Sequence, residues 1–353
     1  MTDKRWNALG ESLVNYSLNI QPGEKLMIAM YEVETYPLAV AVYGACIRAG
    51  GFPQIQFMSE TLKHKVLQYG NDAHISWIPE IEAYGMEWAD CYIALRGAFN
   101  LNECFDIPAE KLARYQKAMG VISSLRWQKT RWALVRVPNE RFAQQANVSY
   151  ERIMDMFFDA CNLDWPKEIA RWRRIAGELD KGSRLRLVGR GTDLSFSFDG
   201  NPWEVSENKG NIPDGEIMVT PKWATVNGKI FFEFPATLGG KVIHNLSITF
   251  ENGLAASVEA DGHLDYVNHI LNSDEGARRV GEFAFGTNPC VDLCTTDILI
   301  DEKMAGTIHI ALGRPYDGSY PSSIHWDIIK DTRTDSQIYI DDRLVFENGR
   351  FLV

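Results

Sequence analysis

The sequence predicts an α/β N-terminal domain with a parallel sheet, followed by an α+β C-terminal domain with a largely antiparallel sheet. Three observations lead to this fold class. The length of 353 residues exceeds the usual size of one hydrophobic core. The first half alternates buried strands with amphipathic helices, and the second half consists of short strands joined by hairpins. Because the pattern changes near residue 182, we expect two domains, residues 1–182 and 183–353.

The elements of the first half follow one another as strand, helix, strand. Glycines after the first long helix predict its end, and four apolar runs read as buried strands. The predicted strands are "KLMIAMY", "FPQIQFM", "ADCYIAL" and "RWALVRV". The predicted helices are "YPLAVAVYGACIRAGG", a stretch at 60–87, "PAEKLARYQKAM", "SYERIMDMFFDAC" and "PKEIARWRRIAGEL". Strands that alternate with helices in this way predict a parallel sheet.

The elements of the second half are short alternating strands. "RLRLVGRGTDLSFSFDG", "LSITFENGLAASVEA" and "QIYIDDRLVFENGRFLV" each contain two such runs around a turn. The "ENG" and "DD" turns supply residues that tolerate the positive φ of tight hairpins. We therefore expect an antiparallel arrangement in this half.

Composition and charge exclude several classes of partner. The net charge of −11, with no compensating basic block, argues against nucleic acid or an anionic membrane surface as a partner. No run of about 18 apolar residues and no signal-like start is present, so we expect a cytoplasmic protein. The six cysteines are expected to be reduced, and Cys290 and Cys294 lack the partners of a structural zinc site. No glycine-rich phosphate motif favours a nucleotide-binding module in the first half.

A histidine and an aspartate stand two residues apart in "SSIHWD". The alternation of this segment is typical of a strand, so His325 and Asp327 should project from one face. An imidazole and a carboxylate directed at one point suit a divalent cation. The alternative is a surface pair joined by a hydrogen bond.

Two glutamates in the second half are further candidates. Glu216 begins a strand after the Pro-Asp-Gly turn of "NIPDGEIMVTP", where the alternative is a solvated edge glutamate. Glu282 lies among apolar neighbours in "VGEFAFGTNP", and a carboxylate buried there needs a cation or hydrogen-bond donors. Backbone amides or the arginines Arg278 and Arg279 are the alternative partners of Glu282.

"GTIHIALGRPY" contributes a histidine and a tyrosine. His309 alternates with Ile308 and Ile310 and therefore faces away from them, although a hydrogen-bonded structural histidine is the alternative. Tyr316 follows on a loop, from which a phenol can point back to the same place.

Together these positions provide three carboxylates and two imidazoles, a ligand set for two Zn²⁺, Co²⁺ or Mn²⁺ ions with one bridging carboxylate. Two ions about 3.5–4 Å apart lower the pKa of a shared water and polarise a carbonyl, as amide hydrolysis requires. The candidate metal ligands are Glu216, Glu282, His309, His325 and Asp327.

Six segments resemble, in order and spacing, the M29 metallopeptidases of the thermophilic aminopeptidase T type. They are "NIPDGEIMVTP", "ITFENGLAAS", "VGEFAFGTNP", "LIDEKMAGTIHIALG", "SSIHWDII" and "IYIDDRLVFENGRF", spanning about residues 200–350. The resemblance implies a metal-dependent aminopeptidase that removes N-terminal residues from short peptides, acts on a small peptide or amide, and forms a homodimer. It implies that the five candidates are metal ligands and that Tyr316 and Glu216 are catalytic, with Tyr316 assisting at the carbonyl.

Two departures from the family leave alternatives. The loop between His309 and His325, and the chain as a whole, are shorter than is typical, which motivates a hydrolase for a specialised amide or ring substrate. Dihydroxypyridine dioxygenases share this fold and bind a single Fe(II) through two histidines and one aspartate, which would here be His309, His325 and Asp327. They carry a histidine where this chain has Glu282, and the glutamate favours the two-metal hydrolase.

Overall fold

The computed structural model describes residues 3–97, 100, 103–125 and 130–353. It contains helices α1 to α11, which are α1 (Lys4–Ser12), α2 (Tyr36–Arg48), α3 (Glu60–Tyr69), α4 (Asp72–Ser76), α5 (Glu80–Trp88), α6 (Ala109–Ser124), α7 (Glu140–Gln145), α8 (Tyr150–Cys161), α9 (Trp165–Leu179), α10 (Leu264–Leu271) and α11 (Ile298–Asp301). A π-helical turn at Leu13–Ser17 follows α1. No helix in the described ranges is both long and apolar enough to cross a bilayer.

The described residues also form two 3₁₀ turns, Val33–Thr35 and Trp223–Thr225, and strands β1 to β19. They are β1 (Lys25–Tyr31), β2 (Phe52–Met58), β3 (Cys91–Gly97), β4 (Arg131–Val137), β5 (Arg184–Gly189), β6 (Thr192–Ser197), β7 (Glu204–Val205), β8 (Asn211–Ile212), β9 (Glu216–Val219), β10 (Asn227–Phe231), β11 (Ala236–Leu238), β12 (Lys241–Glu251), β13 (Leu254–Asp261), β14 (Val280–Gly286), β15 (Thr307–Gly313), β16 (His325–Asp331), β17 (Ser336–Ile340), β18 (Arg343–Glu347) and β19 (Arg350–Phe351).

The chain forms two compact units. Unit 1 comprises the residues up to Asn162 together with Asn208–Pro213, and unit 2 comprises Leu163–Glu207 and Asp214–Val353. Helix α9 therefore belongs to unit 2, whereas the sequence placed the change of domain at residue 182. The predicted domain limits 1–182 and 183–353 stay a prediction, because compactness alone does not define an independently folding domain.

Unit 1 is built on a five-stranded sheet of order β2-β1-β3-β4-β8, in which every pairing is parallel. The four apolar runs of the first half form β1 to β4, with bounds within two residues of the predicted ones. Small and sulfur-containing residues form one layer of its core, including Met27, Ala29, Met86 and Ala94. The predicted parallel sheet with covering helices is confirmed.

Unit 2 holds two sheets. A nine-stranded sheet runs β11-β12-β10-β6-β5-β17-β18-β19, with β13 paired to β12, and a five-stranded sheet runs β16-β15-β14-β9-β7. The pairings in both sheets are antiparallel, as predicted for this half. Aromatic rings pack beneath the smaller sheet, with the centroids of Phe283 and Phe285 5.4 Å apart and that of Trp203 5.5 Å from Phe285. This apolar face leaves the opposite face of the smaller sheet for polar residues.

Candidate metal centre

The five predicted ligands lie on four adjacent strands of the smaller sheet. Along β14 and β15 the residues alternate, so that Glu282 and His309 project from the face opposite Phe283 and Ile310. On β16, His325 and Asp327 share a face, and Glu216 opens β9 on the other side of β14. The order of the strands therefore brings together residues that lie more than a hundred positions apart in the chain.

Each of these candidate ligands stands opposite a glycine or an alanine on one neighbouring strand, although His309 also stands opposite Ile329 on β16. Ala311 is the partner of both Glu282 and Asp327, Ala284 is the partner of His309, Gly313 that of His325, and Gly286 that of Glu216. Directly opposed side chains lie about 4.5–5.5 Å apart at their Cβ atoms. Small partners thus leave space above the sheet between the long polar side chains.

The turn before β9 holds Glu216 in place. Gly215 has a φ of +136°, and a Cβ there would approach the Cβ of Asn288 to 2.8 Å, so only glycine fits. The side-chain amide of Asn288 donates to the Asp214 carbonyl at 2.8 Å, and Thr287 N donates to the Gly215 carbonyl at 2.9 Å. The predicted turn is therefore pinned to the end of β14.

A second anchored turn precedes β16. The Asp274 carboxylate accepts hydrogen bonds from Ser323 N at 2.7 Å, Ser323 Oγ at 2.6 Å and Ser322 Oγ at 3.2 Å. Burial alone would raise the pKa of Asp274, but these bonds and one from Gly276 N outweigh it and lower the pKa to about 2. Asp274 thereby orders the two serines that lead into His325.

Glu282 faces both histidines, one with each oxygen. Its Oε1 lies 3.6 Å from His309 Nε2, and its Oε2 lies 3.4 Å from His325 Nε2. The same nitrogen of His325 lies 3.4 Å from Asp327 Oδ1. These distances exceed those of ordinary N–H···O hydrogen bonds. They match the separation of about 3.4 Å between two ligand atoms that each lie about 2.1 Å from a tetrahedral ion. The donor set therefore fits divalent cations between these atoms.

Both histidines direct Nε2 toward the carboxylate of Glu282, where an ion could bind. His325 Nδ1 lies 2.8 Å from the Arg314 carbonyl, which can only accept, so Nδ1 donates and Nε2 is the nitrogen that can bind an ion once its own proton leaves. His309 is buried, and its Nδ1 has no hydrogen-bond partner within the described ranges. Such an arrangement around His325 is typical of metal-bound histidines.

A glutamate and a lysine that the sequence analysis did not single out complete the cluster. Lys303 is buried, and its Nζ lies 2.6 Å from Glu216 Oε1 and 2.7 Å from Glu302 Oε1. Asp214 is 3.9 Å from the same ammonium. Their only sequence signal is a charged pair, "EK", next to apolar residues in "ILIDEKMAG".

The electrostatics reflect an excess of buried carboxylates. Burial raises the pKa of Glu216, and it raises that of Glu302 to about 8, although Lys303 opposes both shifts. Burial opposes the charged form of His309, but the carboxylates of Glu282 and Glu216 prevail and raise its pKa to about 9. For His325 the carboxylates of Asp327 and Glu282 likewise outweigh burial and raise the pKa to about 11. The cluster therefore attracts positive charge, as protons or as cations.

Two overlapping groups in the described residues could hold an ion. Ligand atoms of Glu216, Glu302 and His309 all lie within 4.8 Å of one another, and so do those of Glu282, His309 and Asp327. Carboxylate and imidazole ligands of this kind suit Zn²⁺, Co²⁺ or Mn²⁺. His325 adjoins the second group through Glu282 and Asp327.

Tyr316 stands at the rim of the cluster. Its ring centroid lies 5.3 Å from that of His325, and it lines a cavity of about 150 Å³ together with Glu282. Although 67% of the residue is exposed, surrounding protein and then the carboxylates of Glu282 and Asp327 raise the pKa of Tyr316 above its usual range. The phenol therefore keeps its proton and can donate a hydrogen bond.

The thermophilic metalloprotease (M29) family matches residues 2–351 of the chain. The chain belongs to this family. It is therefore a metallopeptidase, a hydrolase that requires a divalent metal, and the carboxylate and imidazole cluster of unit 2 has the donor chemistry that such a metal requires.

Curated relatives of the M29 chain are similar over most of their length. Aminopeptidase 2 of Geobacillus stearothermophilus is 24% identical over 89% of this chain and 84% of its own. Aminopeptidase T of Thermus thermophilus is 25% identical over 87% of this chain and 84% of its own.

Two solved structures share the fold of this M29 chain. Wild-type AmpT from Thermus thermophilus superposes with a TM-score of 0.83 at 22% identity, covering 99% of each chain. The 2,5-dihydroxypyridine dioxygenase of Pseudomonas putida KT2440 superposes with a TM-score of 0.61 at 11% identity, covering 99% of this chain and 97% of its own. At these identities both likenesses concern the fold alone.

Proposed function

We propose that the protein is a cytoplasmic aminopeptidase that removes the first residue of short peptides at a centre of two divalent ions, Zn²⁺, Co²⁺ or Mn²⁺. The observation that carries the proposal is the position of Glu282, whose two oxygens face different histidines. A carboxylate placed in this way suits a bridge between two ions. The names of the relatives, aminopeptidases T and 2, support the same reaction.

In this proposal the ligands divide around Glu282. Glu216 and His309 hold the ion on one side, where Glu302 is an additional ligand, and His325 and Asp327 hold the ion on the other side. When bound, the ions supply an activated water and polarise the carbonyl of the peptide bond. The strands position the ligands before the substrate arrives, because all five project from one face of the sheet and Glu216, Glu282 and His309 are buried there.

Two side chains act directly on the reacting groups. The Tyr316 hydroxyl, which stays protonated, donates a hydrogen bond to the oxygen of the tetrahedral intermediate. Glu216 is the second catalytic candidate, because it would hold, together with His309, an ion that acts on the substrate.

The test is release of the first residue from aminoacyl amides and short peptides by purified protein. Activity should vanish on chelation and return with Zn²⁺, Co²⁺ or Mn²⁺, and metal analysis should find two ions per chain. A Glu282→Gln variant should lose both activity and one ion. No turnover across a broad panel of peptides and amides by the metal-loaded protein would contradict the proposal.

The same metal analysis decides the alternatives. A single iron per chain, together with oxygen consumption when a dihydroxypyridine is supplied, would contradict the peptidase. It would support an oxygenase whose iron is held by His309, His325 and Asp327. Hydrolysis confined to one amide or cyclic amide would point to the specialised hydrolase. The buried glutamates at positions 216 and 282, beyond the three ligands that a single iron needs, favour the two-metal centre.

We also propose that the protein is a homodimer. On α2 an apolar stripe is exposed to solvent, and its spacing of four, three and four residues is that of a helix-packing seam. The exposed fractions are 57% for Tyr36, 49% for Val40, 39% for Tyr43 and 54% for Ile47. Contiguous apolar surface of this kind marks an interaction site, and a second copy of the chain would cover it symmetrically.

A further inference from the structure

A cavity opens beside the candidate metal centre, wholly within unit 2. Its volume is about 150 Å³, and its walls include Glu282, Tyr316 and Met218. A cavity of this size can hold about six non-hydrogen atoms, the size of a benzene ring. It therefore has room for a single amino-acid side chain next to the reacting bond.

The far wall of the cavity is acidic. Glu204 on β7 stands opposite Met218 on β9, and opposed residues of an antiparallel pair project to the same face. Met218 follows Glu216 by two positions and shares its face. Glu204 therefore projects to the same face as the candidate metal ligands, and it lines the cavity with Asp317.

The distance from the centre decides what Glu204 can contact. Strand β9 lies between β14 and β7, so Glu204 is two strand spacings, or about 10 Å, from the row of Glu282. The α-amino group of a substrate stays close to the carbonyl under attack, too far away for Glu204. The cationic end of a lysine or arginine side chain lies roughly 6–7 Å from its Cα, so it can span most of this separation.

Both carboxylates are available to a ligand. Glu204 and Asp317 are exposed, and neither forms an ion pair with a lysine or arginine in the part of the chain that the structure describes. One oxygen of Asp317 accepts a hydrogen bond from Ser319 N at 2.9 Å. Lys222 does not line the cavity, and its Nζ donates a hydrogen bond to the side-chain oxygen of the lining residue Asn201 at 2.9 Å.

We propose that this cavity binds the side chain of the first substrate residue and that Glu204, assisted by Asp317, selects peptides that begin with arginine or lysine. The proposal rests on the aminopeptidase function proposed above and adds a substrate class to it. The aliphatic stem of either side chain packs along Met218, and its charged end reaches the carboxylates. Glu204 and Asp317 act on binding and not on the chemical step.

The first experiment compares arginine, lysine, leucine and glutamate 4-nitroanilides as substrates of the metal-loaded protein. The arginine and lysine substrates should have the highest kcat/KM. Glu204→Gln should lower the ratio of kcat/KM for arginine over leucine by about tenfold, the size expected for one partly exposed charge-assisted contact. The lower kcat/KM for the arginine substrate should come from a higher KM, with kcat unchanged. Glu204→Lys should favour the glutamate substrate.

Glu251→Gln is the matched control, because Glu251 is an exposed glutamate at the end of β12 that does not line the cavity. It should leave the ratio unchanged. The proposal is overturned if the wild-type protein prefers leucine, if Glu204→Gln leaves the ratio unchanged, or if Glu251→Gln shifts it equally.

A binding experiment separates this proposal from the proposed reaction. Calorimetry with L-argininol and L-leucinol on the metal-loaded protein needs no turnover. Argininol should bind more tightly than leucinol, and this difference should disappear in Glu204→Gln. That result would support the subsite even if no anilide is cleaved, and only the proposed reaction would then fail. Equal binding of the two amino alcohols overturns the subsite.

Discussion

Lys303 and Lys330 are two buried lysines in different settings. Lys303 lies between Glu216 and Glu302 in the candidate metal centre. Lys330 bonds Glu233 at 2.8 Å and the Phe231 carbonyl at 3.0 Å, on the opposite face of β16 from His325. A buried charge that loses its partner costs the fold more than the pair contributes. The two lysines therefore form a natural pair for mutation.

Lys303→Met should destabilise the metal-free protein by about 3–5 kcal/mol, because it leaves neighbouring carboxylates buried without compensation. Zn²⁺ should restore more stability to this variant than to the wild type, since the ion supplies the missing positive charge. Urea unfolding with and without Zn²⁺ measures both effects. Lys330→Met should destabilise as well, but with no added response to Zn²⁺. An equal zinc response in the two variants would contradict the assignment of Lys303 to the centre.

Asp274→Asn tests the turn that leads into His325. The pKa of Asp274 is depressed to about 2 in the folded protein, whereas an unfolded aspartate has a pKa of about 3.9. Its contribution to stability is therefore complete above about pH 4 and is lost as the pH falls toward 2. The variant should be less stable than the wild type at pH 7 and pH 5, and the difference should shrink at pH 3.

Urea unfolding at the three pH values measures this difference. Asp199→Asn is the control, because Asp199 is exposed and accepts no side-chain or backbone hydrogen bond in the described structure. A difference between Asp274→Asn and the wild type that stays constant down to pH 2 would show that the charge of Asp274 is not its cause.

At the scale of elements, helix α2 makes the proposed dimer testable. Val40→Glu places a charge in the centre of the exposed stripe, and in a symmetric dimer the charge occurs twice. Sedimentation equilibrium should then show monomers at concentrations at which the wild type is dimeric. Ile81→Glu on α5 is the control, since Ile81 is 89% exposed and lies outside the stripe. Dimers that persist in Val40→Glu would place the interface elsewhere.

Most helices and strands were predictable from the sequence, and the helices that it missed or merged show the limit of local patterns. Periodicity identified β1 to β4 and the faces of β14 to β16, because apolar alternation reflects burial directly. The single helical stretch predicted at 60–87 is three helices, since Gly70 and Trp77 end the first two in extended conformations, and Asn71 and Pro79 precede the starts of the next two. Helices α1, α7, α10 and α11 were not predicted.

The candidate site was predictable only in part. The five candidate ligands and Tyr316 were proposed one by one from local patterns, and their assignment as ligands and catalytic residue followed from the resemblance and stays a prediction. Local pattern could not show that β9 pairs with β14, because strand pairing is decided by contacts between distant segments. Glu302 and Lys303 escaped notice because charged residues are usually solvated, and only the folded chain shows that both are buried.

At the scale of the whole molecule, metal and stability should be coupled. Three carboxylates, those of Asp214, Glu216 and Glu302, lie around Lys303, and those of Glu282 and Asp327 face the two histidines beside them. Bound cations would compensate this excess of carboxylates. A ligand that binds only the folded state stabilises it by about 2.7 kcal/mol at a hundred times its Kd. EDTA should therefore lower the temperature of unfolding, and Zn²⁺ in excess over EDTA should restore it.

Differential scanning calorimetry measures the shift, and Glu282→Gln supplies the comparison. This variant should respond more weakly to both reagents because it lacks the shared carboxylate. An unfolding temperature that is indifferent to EDTA in the wild-type protein would show that no ion is linked to folding.

Ala311 lies on β15 directly opposite both Glu282 on β14 and Asp327 on β16, so its small methyl group lies between these two candidate ligands. A valine at this position would fill part of the space between the two carboxylates without replacing any candidate metal ligand. Ala311→Val would therefore crowd the two carboxylates and weaken metal binding while every candidate ligand stays in the chain.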